Sequence, residues 1–446
     1  MALKALDIFK LLPKTNCKKC GCPTCLAFAM KLAQKQANLD QCPDVSEASK
    51  TELAGASAPP IRLVALGVGP GKIEIGNETV MFRHEESFYH APGVGVMVSD
   101  ALDADALKAR IEKIRKLKFV RVGTELHVHV VALVNDSGQA APFAKAVQAA
   151  LSLDLPLILM STQAAHLDAV LASCADKKPL LHAATDTTVD AFIALAKTHN
   201  CPLAVSAPDL DKLVPLVEKV RAAGIQDILL DVTASSVSGT LQALTAIRRL
   251  VLKKNLRVLG YPCLVTCRQK DPLVHVAECS MYVAKYAGIV LTELDQPEQL
   301  MPILTVSQNL YTDPRKPIQV EAKLNAIGAV TKDSPLMITT NFSLTYYTVV
   351  GEVEASRVPA YIGVLDTEGT SVLTAFAADK LTSEKIAAFL NSDEVKNAVS
   401  HRKVIIPGYI AVMSGSLKED SGWTVLVGPR EASGISKFLK TTWTNA

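Results

Sequence analysis

The chain has 446 residues, 49% of them hydrophobic and 20% charged, with a formal net charge of only +3. That length predicts about three domains, and the absence of a basic stripe with interleaved aromatics excludes a nucleic-acid surface. Apolar runs such as LPLILM (155–160) are too short to span a bilayer, and MALKALDIFK lacks the apolar core and cleavage site of a signal peptide, so a cytoplasmic chain is expected.

Residues 1–46 read as a small metal module. ALDIFKLL is predicted as a short amphipathic helix with Leu3, Leu6, Phe9 and Leu12 on one face. The run TNCKKCGCPTC…DQCP then places Cys17, Cys20, Cys25 and Cys42 in the spacing C-x2-C-x4-C-x16-C, followed by Pro43. Four thiolates in tight loops can hold a [4Fe-4S] cluster or a structural zinc. Zinc sites usually come as two C-x2-C knuckles, and only one is present. The x4 step and the closing Cys-Pro favour iron and sulfur, with zinc, disulfides and unligated thiols as alternatives. Cys22 is a surplus thiol, expected to be a small loop residue rather than a ligand. Thr24 is placed to cap a second helix, CLAFAMKLAQKQA, which carries Cys25 and packs Phe28 and Leu32. The module is too small for an adequate core, so a bound metal must supply folding energy. Residues 1–60 hold eight Lys against five acids, which accounts for the whole charge surplus. This is either a basic cap around an anionic centre or ordinary surface lysine. EASKTELAGASAPP (47–60) is predicted to be a linker that lets the module move.

From Ile61 to about Ala326, short apolar runs alternate with helical stretches. The runs are RLVALG (62–67), VGVMVS (94–99), VHVVALV (128–134), LPLILMS (155–161), PLLHAAT (179–185), PLAVSA (202–207), ILLDVT (228–233), RVLGY (257–261) and GIVLTEL (288–294). Such alternation means a parallel sheet, and eight or nine units fit a closed (β/α)8 barrel of the TIM type, with an open doubly wound sheet as the alternative. Cys174, Cys201, Cys263, Cys267 and Cys279 are scattered, as reduced buried thiols are. GVGPGK (67–72) is too short for a phosphate loop. CLVTC (263–267) is not a radical-type cluster motif, and His127 and His129 are expected to pack rather than ligate. Asn135, Asp136, Asp231 and Glu293 form no evident acid–base pair, so the barrel reads as scaffold.

PRKPIQVEAKLNAIGAV (314–330) bridges to a small α/β domain with four predicted parallel strands: PLMITTN (335–341), AYIGVLD (360–366), KVIIPG (403–408) and TVLVGP (424–429). Helices are expected after Thr370, Thr382 and Pro429. Four polar or glycine-rich turns follow these strands: TTNFSLTYY (339–347), DTEGTSVLTAF (366–376), PGYIAVMSG (407–415) and VGPREASG (427–434). Gly369-Thr370-Ser371 opens a helix with free N–H groups and hydroxyls. Gly408, Gly415, Gly428 and Gly434 would let the backbone approach a bulky flat ligand. Plain turns and caps are the alternative.

TNCKKCGCPTCLAFA, DQCP, TTNFSLTYY and VGPREASG together resemble the large subunit of the corrinoid iron–sulfur protein of the reductive acetyl-CoA (Wood–Ljungdahl) pathway. The resemblance spans essentially the whole chain. It implies a [4Fe-4S] domain with linker over 1–57, a TIM barrel over 58–325 and a corrinoid-binding α/β domain over 326–446. It also implies that Cys17, Cys20, Cys25 and Cys42 ligate the cluster. A cobamide would contact Thr340, Thr345, Tyr346, Thr370, Ser371, Val372, Leu373, Thr374, Gly408 and Ser433. No D-x-H-x-x-G motif is present and His401 lies in SHRKV, so the cobamide is expected base-off and histidine-off. The implied role is methyl carriage rather than catalysis. Co(I) would take methyl from methyltetrahydrofolate on a separate methyltransferase and deliver it to CO dehydrogenase/acetyl-CoA synthase. The cluster would reactivate Co(II). Further implied partners are a small subunit forming a heterodimer and a reductive activator or ferredoxin. The rival readings are a pterin-dependent methyltransferase whose barrel binds folate, and a zinc-fronted scaffold.

Overall fold

The computed structural model describes residues 5–33, 37, 39–46, 49, 59–313 and 317–443. Met1–Lys118 with His127–Tyr311 form one compact unit, and Phe119–Leu126 with Thr312–Ala446 form a second.

In the first unit, helices α1 (Ala5–Leu11) and α2 (Cys25–Ala33) bring Ile8, Leu12, Phe28 and Ala29 into one small buried cluster. The apolar face of α1 differs from the expected one. Ile8 and Leu12 are buried, whereas Leu6 is 63% exposed. A seven-residue helix makes barely two turns, so two contacts choose its buried face. Leu3 and nearly all of the predicted linker lie outside the described residues.

RLVALG does not join the barrel. Its strand β1 (Val64–Leu66) pairs antiparallel with β2 (Ile73–Ile75). Gly67 and Gly69 take φ of +77° and +66° between them, and the chain turns straight back. A parallel crossover needs a dozen residues or more, and too few are available here. The hairpin puts Val64, Leu66 and Ile75 among Val130, Ile158 and Leu180, which fill the barrel interior.

Eight parallel strands close the barrel: β3 (Gly93–Ser99), then, after a β4–β5 ribbon (Lys118–Arg121 and Thr124–His127), β6 (Val130–Val134), β7 (Leu157–Met160), β8 (Leu180–Ala184), β9 (Leu203–Ser206), β10 (Ile228–Asp231), β11 (Cys263–Thr266) and β12 (Ala287–Thr292). The closed TIM-type barrel is therefore as expected, with β12 beside β3. RVLGY is corrected: Arg257–Leu259 is a single 3-10 turn, and the strand lies in CLVT. Val258 and Leu259 are buried, so their apolar character reflects burial and not pairing. The β4–β5 ribbon was not legible. Its residues 119–126 belong to the second unit, where the ring of Tyr347 lies against Gly123 at the turn.

The second unit is a five-stranded sheet in the order β13-β15-β14-β16-β17: β13 (Leu324–Ile327), β14 (Leu336–Thr340), β15 (Ala360–Leu365), β16 (Lys403–Ile406) and β17 (Thr424–Val427). The four predicted strands are parallel, and β13 is an antiparallel edge strand inside the predicted bridge. From β14 the chain moves outward to β15, then returns to place β16 on the other side of β14. That reversal makes the carboxyl ends of β14 and β16 a topological switch point, where loops diverge and leave a crevice. Ile386, Leu390 and Leu417 cover one face of the sheet, and Val353, Ile435 and Leu439 cover the other.

Candidate functional site

The thiol loop is shaped by its backbone. Lys14, Asn16, Lys18 and Gly21 all have left-handed φ, between +49° and +72°, so the chain coils tightly through the first two cysteines. Such coiling turns successive N–H groups toward one concavity, which suits an anionic centre. Asn16 fixes the loop to α2 by accepting the Cys25 N–H at 2.8 Å. Thr24 caps α2, its Oγ1 accepting from Ala27 N at 3.0 Å, as the sequence implies. Cys25 and Cys42 are buried, Cys20 is half-buried and Cys17 is exposed. The Cys42 thiol is held above its ordinary range, first by burial and then by the nearby Cys20, Cys17 and Cys25 sulfurs, against an opposing backbone hydrogen bond at Asp44. The four thiols therefore share one neighbourhood. Cys22 is 3% exposed and belongs to the apolar cluster with Ile8 and Phe28.

The second feature is a cleft of about 310 Å³ at the switch point, lined by Thr339 of β14, Thr345 and Thr348, Ser371, Val372 and Leu373, Pro407, Tyr409 and Arg430. The helix Ser343–Ser356 supplies Thr345 and Thr348, and Ser371 stands at the N-cap position of the short helix Val372–Ala377 without a side-chain bond to its backbone. Gly408 sits where the turns after β16 and β17 meet. A Cβ there would lie 2.6 Å from Gly428 O and 2.8 Å from Arg430 N, so only glycine allows this approach.

The loop 366–371 is organised by Asn341, 3% exposed at the end of β14. Its Oδ1 accepts from Thr367 N (3.0 Å), Thr367 Oγ1 (3.1 Å) and Gly369 N (3.0 Å). Its Nδ2 donates to Gln319 Oε1 (3.1 Å) and Asp366 Oδ1 (3.0 Å). This residue, like Thr339 and Arg430, lies in a turn that the sequence singles out but is not among its individually assigned contacts.

Of the residues expected to contact a corrinoid, Thr345, Ser371, Val372 and Leu373 line the cleft, and Gly408 lies between two lining residues. Thr370 spends its hydroxyl on Thr367 O at 2.7 Å, and Thr374 Oγ1 is 3.1 Å from Ser371 Oγ. Ser433 is outside the lining, next to Ala432, which is in it. Tyr346 is also outside, packed edge-on against Tyr347 at 5.1 Å. Thr340 is fully buried beside Thr339; both hydroxyls are buried without a partner, and Thr339 is the one that lines the cleft. No histidine lines the cleft. His401, the sole histidine from 312 to 446, has both ring nitrogens engaged, Nε2 with Ser334 O (2.9 Å) and Nδ1 with Lys403 N (3.2 Å).

In the barrel, Asp100 binds Asn135 Nδ2 (2.7 Å) and Ser137 Oγ (2.7 Å), and Asn135 Oδ1 meets Ser161 Oγ (3.0 Å) and His166 Nδ1 (2.8 Å). Asp231 pairs with His182 at 2.8 Å. These groups satisfy one another.

A family model described as CO dehydrogenase/acetyl-CoA synthase delta subunit matches residues 63–439. The chain belongs to this family. It is 47% identical over 441 residues to the corrinoid/iron-sulfur protein large subunit of Moorella thermoacetica, covering 99% of each chain. It is 34% identical to the acetyl-CoA decarbonylase/synthase complex subunit gamma of Methanothermobacter thermautotrophicus, covering 98% of this chain and 99% of that one. A second family model, described as an Fe-S cluster, matches residues 12–43, which span all four cysteines. A dihydropteroate synthase from Thermus thermophilus aligns with 56% of this chain and 100% of its own, at 17% identity and a TM-score of 0.38. In this acetyl-CoA synthase family member the Fe-S match falls in the first unit and the cleft in the second.

Proposed function

We propose that the chain is a corrinoid-carrying methyl carrier with its own [4Fe-4S] cluster, and that it acts through partner proteins rather than as a self-contained enzyme. The single observation that supports this most is the cleft at the carboxyl ends of β14 and β16, lined by Thr339 with its buried unpartnered hydroxyl and by no imidazole.

Both groups fit the residues present. Cys17, Cys20, Cys25 and Cys42 would hold the cluster. The tight loop around them would bring backbone N–H groups toward the cluster. Thr339, Thr345, Ser371, Val372 and Leu373 would lie against the corrinoid, with the remaining sequence-assigned contacts, Thr340, Tyr346, Thr370, Thr374, Gly408 and Ser433, around this set. When bound, the corrinoid supplies a cobalt that accepts and releases a methyl group, and the cluster supplies single electrons that keep the cobalt reduced. The chain's part is to bind and to tune. The corrinoid is proposed to be base-off and histidine-off: Ser371 and Thr374 would offer cobalt only weakly ligating hydroxyls, and His401, held by Ser334 and Lys403, would offer no imidazole. Gly408 and Gly428 let the turns after β16 and β17 pack closely, which would leave room for a flat ring. Asn341 fixes the loop that carries Ser371.

Leu344 and Leu373, each 49% exposed, and Tyr409, 41% exposed, form an apolar rim at the mouth of the cleft. Such a rim needs a cover. A small partner subunit in a heterodimer would supply it, and would yield to a methyltransferase, to acetyl-CoA synthase or to a reductive activator in turn. The three functional parts would be residues 1–57, 58–325 and 326–446. The saturated hydrogen bonding of Asp100, Asn135 and Asp231 supports a scaffolding barrel over one that binds folate itself.

The test is methyl uptake by corrinoid-loaded, pre-reduced protein. Methyltetrahydrofolate should methylate it only when a separate methyltransferase is added. Turnover by the chain alone would refute the carrier reading.

A further inference from the structure

The barrel contains a second set of soft ligands that neither the cluster nor the corrinoid uses. Cys267 follows β11, His275 and Cys279 lie on helix α9 (Pro272–Ala284), and all three are at most 4% exposed. Among the described residues, this is the one set of three or more His, Cys, Asp or Glu groups whose ligand atoms all lie within 4.8 Å of one another. We propose that Cys267, His275 and Cys279 form a structural metal site for a thiophilic closed-shell divalent ion of the zinc class.

The surroundings match such a site. His275 and Cys279 are four residues apart, so they share a face of α9. His275 Nδ1 lies 2.7 Å from Gln269 O, a contact that makes Nδ1 the donor and leaves Nε2 as the lone-pair nitrogen. A ligating histidine is oriented in this way, by giving its other N–H to a backbone carbonyl. Thr292 Oγ1, at the end of β12, is 2.9 Å from Nε2, a hydrogen bond that an ion would displace and a hydroxyl near enough to serve as a fourth, oxygen ligand. Glu278 holds the Cys267 loop onto the same helix, its Oε2 accepting from Arg268 N at 3.1 Å and Gln269 N at 3.3 Å. Asp271 caps α9 through Leu273 N (2.9 Å) and Val274 N (3.0 Å).

Chemistry favours the assignment. Uptake of a divalent ion releases the two thiol protons to solvent, and two thiolates then balance the ion, so the closed site is neutral in a dry interior. Two thiolates with an imidazole suit zinc better than magnesium or calcium, which prefer oxygen. The ion would tie the loop after β11 to α9 and the end of β12.

The experiment uses the full-length, anaerobically purified protein with its cluster in place. Metal analysis should find about one zinc per chain in addition to iron. X-ray absorption at the zinc edge should show about two sulfurs at roughly 2.3 Å and one nitrogen at roughly 2.0 Å. His275→Gln and Cys279→Ser should each lower bound zinc at least tenfold and leave iron unchanged. If those variants fail to fold, the wild-type absorption spectrum decides. The proposal is overturned if the folded protein takes up no zinc from excess zinc salt. It is equally overturned if zinc shows a shell of four sulfurs, or if peptide mapping of the anaerobic protein finds Cys267 disulfide-bonded to Cys279.

Discussion

Thr339 offers the sharpest test of where the corrinoid lies. Its side chain is 1% exposed, its hydroxyl has no partner in the protein, and it lines the cleft. A buried unsatisfied hydroxyl costs about 1–3 kcal/mol. Thr339→Val keeps the shape and removes that cost, so corrinoid-free protein should gain about 1–3 kcal/mol of stability in urea unfolding. The same hydroxyl, once bonded to a corrinoid amide or ring substituent, is relieved only in the wild type. The thermodynamic cycle then requires the variant to bind corrinoid more weakly by the same amount, roughly 5–150-fold. Two assays read the two sides: urea midpoints of the corrinoid-free proteins, and equilibrium titration with a corrinoid. Opposite signs are the signature. Unchanged affinity, or a less stable corrinoid-free variant, would show that this hydroxyl does not meet the ligand.

Three further outcomes follow from the same geometry. Asn341→Ala removes five side-chain hydrogen bonds at a 3% exposed position, so the second unit should lose about 2–4 kcal/mol by urea unfolding and bind corrinoid poorly; a loss below about 0.5 kcal/mol would refute its organising role. Gly408→Ala brings a Cβ to 2.6 Å from backbone Gly428 O, so the turns must separate at a cost of about 1–3 kcal/mol with at least tenfold weaker corrinoid binding; wild-type affinity would contradict the close approach. His129 is pushed down to about 4 by burial and, secondarily, by His127. Its folded-state affinity for protons is depressed below the ordinary 6.5, so stability is full above about pH 6.5 and falls as the pH drops toward 4. The loss between pH 7 and pH 5 should be about 2 kcal/mol in the barrel transition, and His129→Gln should remove most of that slope.

The legible part of this chain was what local pattern encodes. Cysteine spacing located the thiol loop because ligation needs several sulfurs within one short stretch. Continuous apolar runs located seven of the eight barrel strands, and the strand–turn rhythm located the four parallel strands of the second unit. RVLGY misled because Val258 and Leu259 are buried without pairing, while the true strand hid in CLVT. The β4–β5 ribbon was missed because its strands are only half-buried and turn on Val122, which adopts a φ of +52° against residue preference. The cleft contacts depended on register. In TTN, Thr339 lines the cleft and Thr340 does not, since alternate strand residues face opposite ways. Asn341 binds Gln319 on one side and Asp366 to Gly369 on the other, a convergence that only the folded chain reveals. Cys267, His275 and Cys279 likewise meet across a loop and a helix, with no recognised spacing to announce them.

Metal analysis and electron paramagnetic resonance of the anaerobically purified protein, with cobalt poised in its one-electron-oxidised form, test the central claim directly. The account predicts about four irons and one corrinoid per chain, and a cobalt signal without nitrogen coupling from a lower ligand. Zinc in the Cys17–Cys42 loop, or coupling from a protein imidazole at cobalt, would contradict it.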